Sequence, residues 1–213
     1  MEREELSSWL RLRLTPGVGD GSARKLLAAF GLPASIFLQT EAALNSVVSA
    51  AQAKALLAAP QDLAEQELKT WEWLQAEPHS RRILTLADPA YPQTLLNIDD
   101  PPILLYAIGT EHAWGPQGLN AVQDRSLAVV GSRNPTPQGL TNAHDFAASL
   151  AQSGLTIVSG LALGVDGAAH EGALDGGALD QITTIAVVGT GLDRVYPRQH
   201  RVLAHRIAQR GVI

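Results

Sequence analysis

Apolar residues recur at helical spacing through the first third of the chain, then give way to short apolar runs that end in glycine. Leu6, Trp9, Leu10 and Leu14 fall on one helical face, and residues 22–30 repeat the pattern with Ala23, Leu26, Leu27 and Phe30. Between them, Thr15-Pro16-Gly17-Val18-Gly19 enforces a turn. Shorter helices fit residues 34–38, 40–47, 49–58 and 61–75, with Pro33 and Pro60 as punctuation. Nothing here alternates with period two, so residues 1–78 are expected to form a small all-α domain.

From Arg82 the character changes. Residues 83–86 and 103–108 read as strands, and the prolines between them (Pro89, Pro92, Pro101, Pro102) confine these pieces to edges or connections. Residues 111–123, with Gly115, Pro116 and Gly118, read as a loop. Then a strand, a glycine loop and a helix-like segment follow one another three times. Residues 127–130 lead into Gly131-Ser132-Arg133, residues 156–158 into Ser159-Gly160, and residues 185–188 into Gly189-Thr190-Gly191. A repeat of about thirty residues is the spacing of parallel βαβ units. The expected fold of residues 79–213 is therefore α/β, an extended Rossmann-like, mostly parallel sheet with helices on both faces. Ligands of such sheets bind at the loops after the strand carboxyl ends.

Residues 197–209 form an amphipathic helix with Leu203 and Ile207 on one face and Arg198, Arg201 and His205 on another. Gly211-Val212-Ile213 then reads as a helix stop and the opening of a strand, so the chain is expected to be truncated at its C-terminus.

Composition narrows the chemistry. With 46% apolar and 17% charged residues, the 213-residue chain can bury a substantial core. It has no cysteine, which removes disulfides and thiolate chemistry and fits a reducing cytoplasm. No secretory signal is visible after the acidic start Met1-Glu2-Arg3-Glu4-Glu5. The net charge of −5 hides an asymmetry: residues 1–126 hold 10 Lys and Arg against 15 Asp and Glu, while residues 127–213 hold 6 of each. Arg194, Arg198, Arg201, Arg206 and Arg210 are joined by His200 and His205, with no acid after Asp193.

The first glycine loop carries the most information. Gly131 lets the backbone turn sharply, Thr136-Pro137 is an N-cap and N1 pair, and Arg133 supplies a planar permanent charge suited to phosphate. The next glycine is Gly139, so the dinucleotide spacing G-x-G-x-x-G is absent, as is the G-x-x-x-x-G-K-[ST] of the ATP loop. In the second loop Asp166 and His170 stand four apart on one helical face. That spacing suits a metal or an acid–base pair, and equally an acid that fixes the helix start with a histidine packed behind it. The third loop adds Gly191, Arg194 and Arg198. Its Tyr196 is placed either to stack on a base or to pack at the helix entry, and Asp193 to fix the loop or pair with an arginine. The tetrapeptide Gly-Ala-Leu-Asp occurs at 172–175 and again at 177–180, read as a helix end and a local slip. At the N-terminal turn, Gly17 and Gly19 either let two helices pack closely or offer backbone amides to a nucleic-acid phosphate. Asp20 opposes the second use, and Arg24 and Lys25 follow it.

Several of these motifs stand together in order. Val130-Gly131-Ser132-Arg133 with Gly139, then Ser159-Gly160-Leu161-Ala162 with Gly164, Asp166, Ala169 and His170, then residues 184–189 with Gly191, Leu192, Asp193, Tyr196 and Pro197, resemble the DprA/Smf family of DNA-processing proteins. So does the lead-in from Tyr91-Pro92 through Asp100-Pro101-Pro102 to Gly109, and the helical N-terminus is similar to that family's SAM-like domain. The resemblance implies binding of single-stranded DNA without enzymatic turnover or cofactor, dimerisation, and delivery of the strand to a RecA-type recombinase during natural transformation. Carried over, Gly131, Ser132 and Arg133 become the phosphate pocket, Gly160, Gly164 and Gly191 its floor, and Arg194 or Arg198 further phosphate contacts. The family's continuation past this end is absent, which bears on DNA affinity, the dimer and the recombinase contact. Two other readings stand beside it. One is an enzyme of the lysine-decarboxylase-like phosphoribohydrolase group, whose Pro-Gly-Gly-x-Gly-Thr loop is missing here, and the other is a nucleotide sensor.

Overall fold

A computed structural model describes residues 1–213 and divides them into two compact units. The first comprises Met1–Pro78 with Ile83–Asp88 and Thr94–Leu105; the second comprises His79–Arg82, Pro89–Gln93 and Tyr106–Ile213.

The first unit is built from six helices, α1 (Arg3–Leu14), α2 (Asp20–Phe30), α3 (Pro33–Ile36), α4 (Glu41–Asn45), α5 (Ala50–Leu56) and α6 (Leu63–Ala76). Helix α1 carries Glu4 and Glu5 in its first turn and Arg11 and Arg13 in its last, matching the helix dipole. Its buried face, Leu6, Trp9, Leu10 and Leu12, divides between two apolar clusters. One holds Leu26, Ile36, Leu44 and Leu56; the other holds Ile83 with Trp71 and Leu74 packed against it.

The turn before α2 is fixed from a distance. Ser49 and Gln52 form a capping box at the start of α5, and the same Gln52 amide donates to the Gly17 carbonyl at 2.7 Å and to Ser22 Oγ at 2.9 Å. Close packing does not explain the two glycines, because a Cβ at either would meet nothing within 4 Å. Gly17 is required by its φ of +77°, while Gly19 is a bare N-cap with no side-chain oxygen to hold the first amides of α2. Arg24 is taken up by Asp100, at 2.7 Å, and by the Pro101 carbonyl.

Strands β1 (Arg81–Thr85) and β2 (Leu104–Ile108) form a two-stranded sheet. In the second unit, β3 (Ser126–Ala128), β4 (Thr156–Ser159) and β5 (Thr184–Ala186) form a parallel sheet in the order β3-β4-β5. Helices α7 (Pro137–Gln152) and α8 (Val165–Gly176) cross between its strands, and α9 (Arg201–Arg210) follows β5. Val212 then bridges Ile185 in parallel and Gly109 in antiparallel sense, and Ile108 and Ile213 exchange amide bonds of 2.9 and 2.8 Å. Residues 211–213 thus complete a strand position beside β5, as the Val-Ile pair suggested.

The α/β expectation holds, and two local readings change. Residues 111–123 are not plain loop: 3-10 turns run from Glu111 to Trp114 and from Gly118 to Arg125. Leu119 and Val122 are buried there, and Asn120 ties down the proline-rich segment before β2, donating to the Pro89 and Tyr91 carbonyls and accepting from the Gln93 amide. An apolar pair three apart is too short a signal to outweigh three glycines and prolines. The amphipathic helix after Pro197 opens as a 3-10 turn, Arg198–His200, before α9.

The first Gly-Ala-Leu-Asp has a packing cause. A Cβ at Gly172 would overlap the His144 carbonyl, and one at Gly176 the Ala148 carbonyl. Two glycines four apart on one face therefore bring the backbones of α7 and α8 into contact, with Ala147, Ala151, Ala169 and Ala173 filling the cluster over Ile157. Gly172→Ala should destabilise the protein by about 1–3 kcal/mol, the range for overpacking a fitted core. Urea unfolding measures this, and an unchanged midpoint would refute the close approach.

Candidate nucleic-acid interface

The three glycine loops lie along one edge of the sheet because their strands are adjacent and parallel. Neighbouring strands stand about 4.8 Å apart, so the first and third loops are separated by about 10 Å with the second between them. Their hydrogen bonding divides them into two kinds.

The first loop is open. Val129 still donates to the Val158 carbonyl, at 3.0 Å, but the amides of Gly131, Ser132 and Arg133 meet no protein acceptor. Ser132 Oγ accepts the Asn134 amide at 3.1 Å, and the Ser132 carbonyl accepts from Val165 at 3.1 Å, which orients the loop. Thr136 caps α7 by accepting the Gly139 amide at 3.1 Å, with Pro137 at N1, as the sequence indicated. Arg133 is exposed, and its guanidinium makes no hydrogen bond or ion pair within the protein. Gly131 owes its identity to a neighbour rather than to a sharp turn: a Cβ there would come within 3.0 Å of the Val165 side chain, and its φ is not positive.

The second loop is closed. Asp166, in the first turn of α8, accepts the Gly160 amide at 3.2 Å and the Ala162 amide at 3.3 Å on one carboxylate oxygen. Leu161 between them has φ +60°, rare for a leucine, and its side chain is buried with Leu174, Ala186, Leu203 and Ile207. The core therefore pulls the leucine inward while its backbone turns two amides onto Asp166. Gly160 has no Cβ because Asp166 Oδ2 would lie 2.9 Å from it. Gly164, φ +83°, lies directly beneath the first loop, where a Cβ would overlap the Ser132 carbonyl and approach the Arg133 backbone within 2.8 Å. Both glycines shape the site sterically, and the Gly160 amide is not free for an anion.

His170 is fully buried behind Asp166. The Thr184 hydroxyl donates to the Ile157 carbonyl at 2.8 Å, so at 2.7 Å it accepts from His170 Nδ1–H. Burial pushes the His170 imidazole down to about 4, against an upward pull from Asp166. Of the two uses open to this pair, the structure takes the architectural one, and no group of three or more His, Cys, Asp or Glu is placed to hold a metal ion.

The third loop is open again. The amides of Gly189, Thr190 and Gly191 have no protein acceptor, and Asp193 pairs with Arg194 at 3.3 Å on the surface. Tyr196 is 69% exposed, so its ring is not packed at the helix entry. Sequence alone groups five arginines as a basic end, and the fold spends two of them elsewhere. Arg206 pairs with Asp175 at 2.9 Å, and Arg210 donates to the Leu174 and Gly177 carbonyls at the end of α8. Arg198 and Arg201 are exposed and make no such contact. His200, undistinguished in the sequence, joins the loops: its Nδ1 donates to the Leu161 carbonyl at 2.9 Å and its ring covers Gly167. The two lie 39 residues apart, and no linear pattern connects them.

A parallel α/β sheet with its three glycine loops gathered along one edge, lacking both nucleotide fingerprints, places the chain in the Rossmann-like class. The family model described as DNA recombination-mediator protein A matches residues 82–213, and the chain belongs to that family, DprA/Smf. It is 33% identical over its full length to Protein Smf from Synechocystis, of which it covers 51%. It is 45% identical to a putative DNA processing protein DprA from Mycobacterium tuberculosis over 53% of this chain and 26% of that one. The X-ray structure of DprA from Streptococcus pneumoniae superposes over the whole chain and 66% of its own, with a TM-score of 0.64 and 27% identity. The chain thus spans about half the length of the Smf relative, and its match to the Mycobacterium protein covers about a quarter of that one. No helix is long and apolar enough to cross a membrane.

The buried histidine makes stability depend on pH. Its folded value lies below its ordinary 6.5, so the unfolded chain takes up the proton first. The contribution of His170 is full above about pH 6.5 and falls as pH drops toward 4, by on the order of 3 kcal/mol. His144, held above its ordinary value by Asp145 and Asp175, acts in the other window, losing its contribution as pH rises past 6.5. Urea midpoints between pH 4 and 7 should fall more steeply for the parent than for His170→Gln, which keeps a donor for Thr184. An NMR titration should find the His170 ring neutral at pH 5.5. Parallel curves, or a protonated ring at that pH, would contradict this account.

Proposed function

We propose that the loop edge binds single-stranded DNA through its phosphates, without turnover, and that the strand so held is passed to a RecA-type recombinase during the processing of DNA taken up in natural transformation. The observation that carries the reading is the alternation of open and closed loops. Two stretches of unpaired amides, Gly131–Arg133 and Gly189–Gly191, flank a middle loop already neutralised by Asp166. Two anion sites about 10 Å apart, the first with the unpaired Arg133 in its loop, suit a phosphate chain better than one compact nucleotide. Exposed Tyr196 follows the third loop in the chain, available to stack on a base. The relatives' names, DNA processing protein and DNA recombination-mediator protein, support the same reading. Residues 1–78 are taken as a SAM-like domain, the protein as cytoplasmic, and the full-length form as a homodimer. In this reading Gly131, Ser132, Arg133 and Arg198 meet phosphate directly, Gly160, Gly164 and Gly191 shape the floor, and Arg194 adds charge at the rim.

The phosphoribohydrolase reading finds less support. Asp166, the carboxylate at the start of α8, is held by two amides, and the glycine-rich loop of that group is missing. Arg133→Ala should weaken binding of a labelled single-stranded oligonucleotide whatever its sequence, and lower the log–log salt slope by about 0.7. Duplex of the same sequence should compete poorly. Unchanged affinity and slope would remove Arg133 from the site, and equal competition by duplex would remove the preference for single strands.

A further inference from the structure

The first unit has a groove of its own, open and of about 340 Å³, within the size range of ligand sites. Glu4, Ser8 and Arg11, spaced four and three residues apart on one face of α1, line it together with Ala34, Phe37 and Leu63. We propose that this groove binds a short extended peptide of another protein, in which an Asp or Glu and a Lys or Arg three residues apart flank apolar side chains. The proposal is independent of the single-strand reading.

Arg11 carries the argument. Its guanidinium lies over the Phe37 ring, 3.9 Å from the centroid, and Nη2 donates to the Leu56 carbonyl at 2.9 Å. These contacts fix the plane of the fork. Yet no carboxylate in the protein meets it: Nε is buried without an acceptor, and Nη1 has none either. Burial lowers the pKa of the group, as it does for a cation short of water and of counter-charge. A guanidinium held flat on a ring, with Nη1 unpaired, is shaped to take a carboxylate through both oxygens.

Glu4 supplies the opposite charge. Its carboxylate makes no hydrogen bond or ion pair in the protein. It stands seven residues before Arg11, about 10 Å away along the helix axis. A free amino acid is too short to reach both, whereas three residues of extended chain span about 10 Å. Two turns of a bound helix, about 10 Å across, exceed the volume of the groove. Between the two charges, Ser8 donates to the Glu4 carbonyl at 3.1 Å and keeps its oxygen as an acceptor for a peptide amide. Phe37, Ala34 and Leu63 offer apolar contact to the side chains between the charges. A nucleic-acid strand fits poorly, because residues 1–78 hold 7 Lys and Arg against 10 Asp and Glu, and Glu4 itself repels phosphate.

The test follows backbone amide shifts of the isotope-labelled chain as a capped hexapeptide, Gly-Glu-Leu-Leu-Lys-Gly, is added. The amides of Ser8, Arg11 and Phe37 should move and saturate together. Gln in place of the peptide's Glu should weaken binding about tenfold, the scale of one charge-assisted contact. Arg11→Lys, which keeps the charge but not the fork, should weaken the parent peptide to the same degree. Glu4 is exposed, so Glu4→Gln keeps the fold. It should weaken the parent peptide about threefold and leave a peptide with Gln for Lys unaffected. If Arg11→Lys fails to fold, the peptide substitutions and Glu4→Gln still decide. No saturating shift, or equal binding of the Glu and Gln peptides, would overturn the site. So would a single-stranded oligonucleotide that moves the same amides, which would make the groove a nucleic-acid contact.

Discussion

One carboxylate sets the character of the loop edge. Asp166 accepts the amides of Gly160 and Ala162 and so fills, from inside the protein, the anion position that the second loop would otherwise offer. With that position occupied, the unpaired amides are those of the loops on either side. The arrangement depends on the core beneath. Leu161 is anchored among Leu174, Leu203 and Ile207 with its backbone left-handed, and His200 holds its carbonyl from the next segment.

The same economy of space runs through α8. Gly164 brings its start under Ser132, Gly167 admits His200, and Gly172 and Gly176 admit the backbone of α7. Each glycine removes a side chain at a point where another group must pass. Between its first half and that of α7 a groove remains.

Much of this was legible in the sequence, for reasons that can be named. Apolar periodicity located the helices of the first unit, and glycines after apolar runs located the three strands with their loops. Thr136-Pro137 announced the start of α7. The roles of particular glycines were less readable: Gly131 answers to Val165, which is distant in sequence, and Gly19 answers to no steric demand. The basic end was overcounted because Arg206 and Arg210 find their acceptors on α8, some thirty residues away. Asp166 stood out as half of a possible acid–base pair, but nothing linear says that its oxygen meets two amides of the preceding loop.

The central claim is that the outer loops are open to a phosphate chain and the middle one is not. Backbone amide shifts of the labelled protein, followed as unlabelled single-stranded oligonucleotide is added, test it directly. The amides of Gly131, Ser132, Arg133 and of residues 189–191 should move together and saturate together, while Gly160 and Ala162 stay near their starting positions. Saturating shifts at Gly160 and Ala162, with the first loop unmoved, would contradict the account.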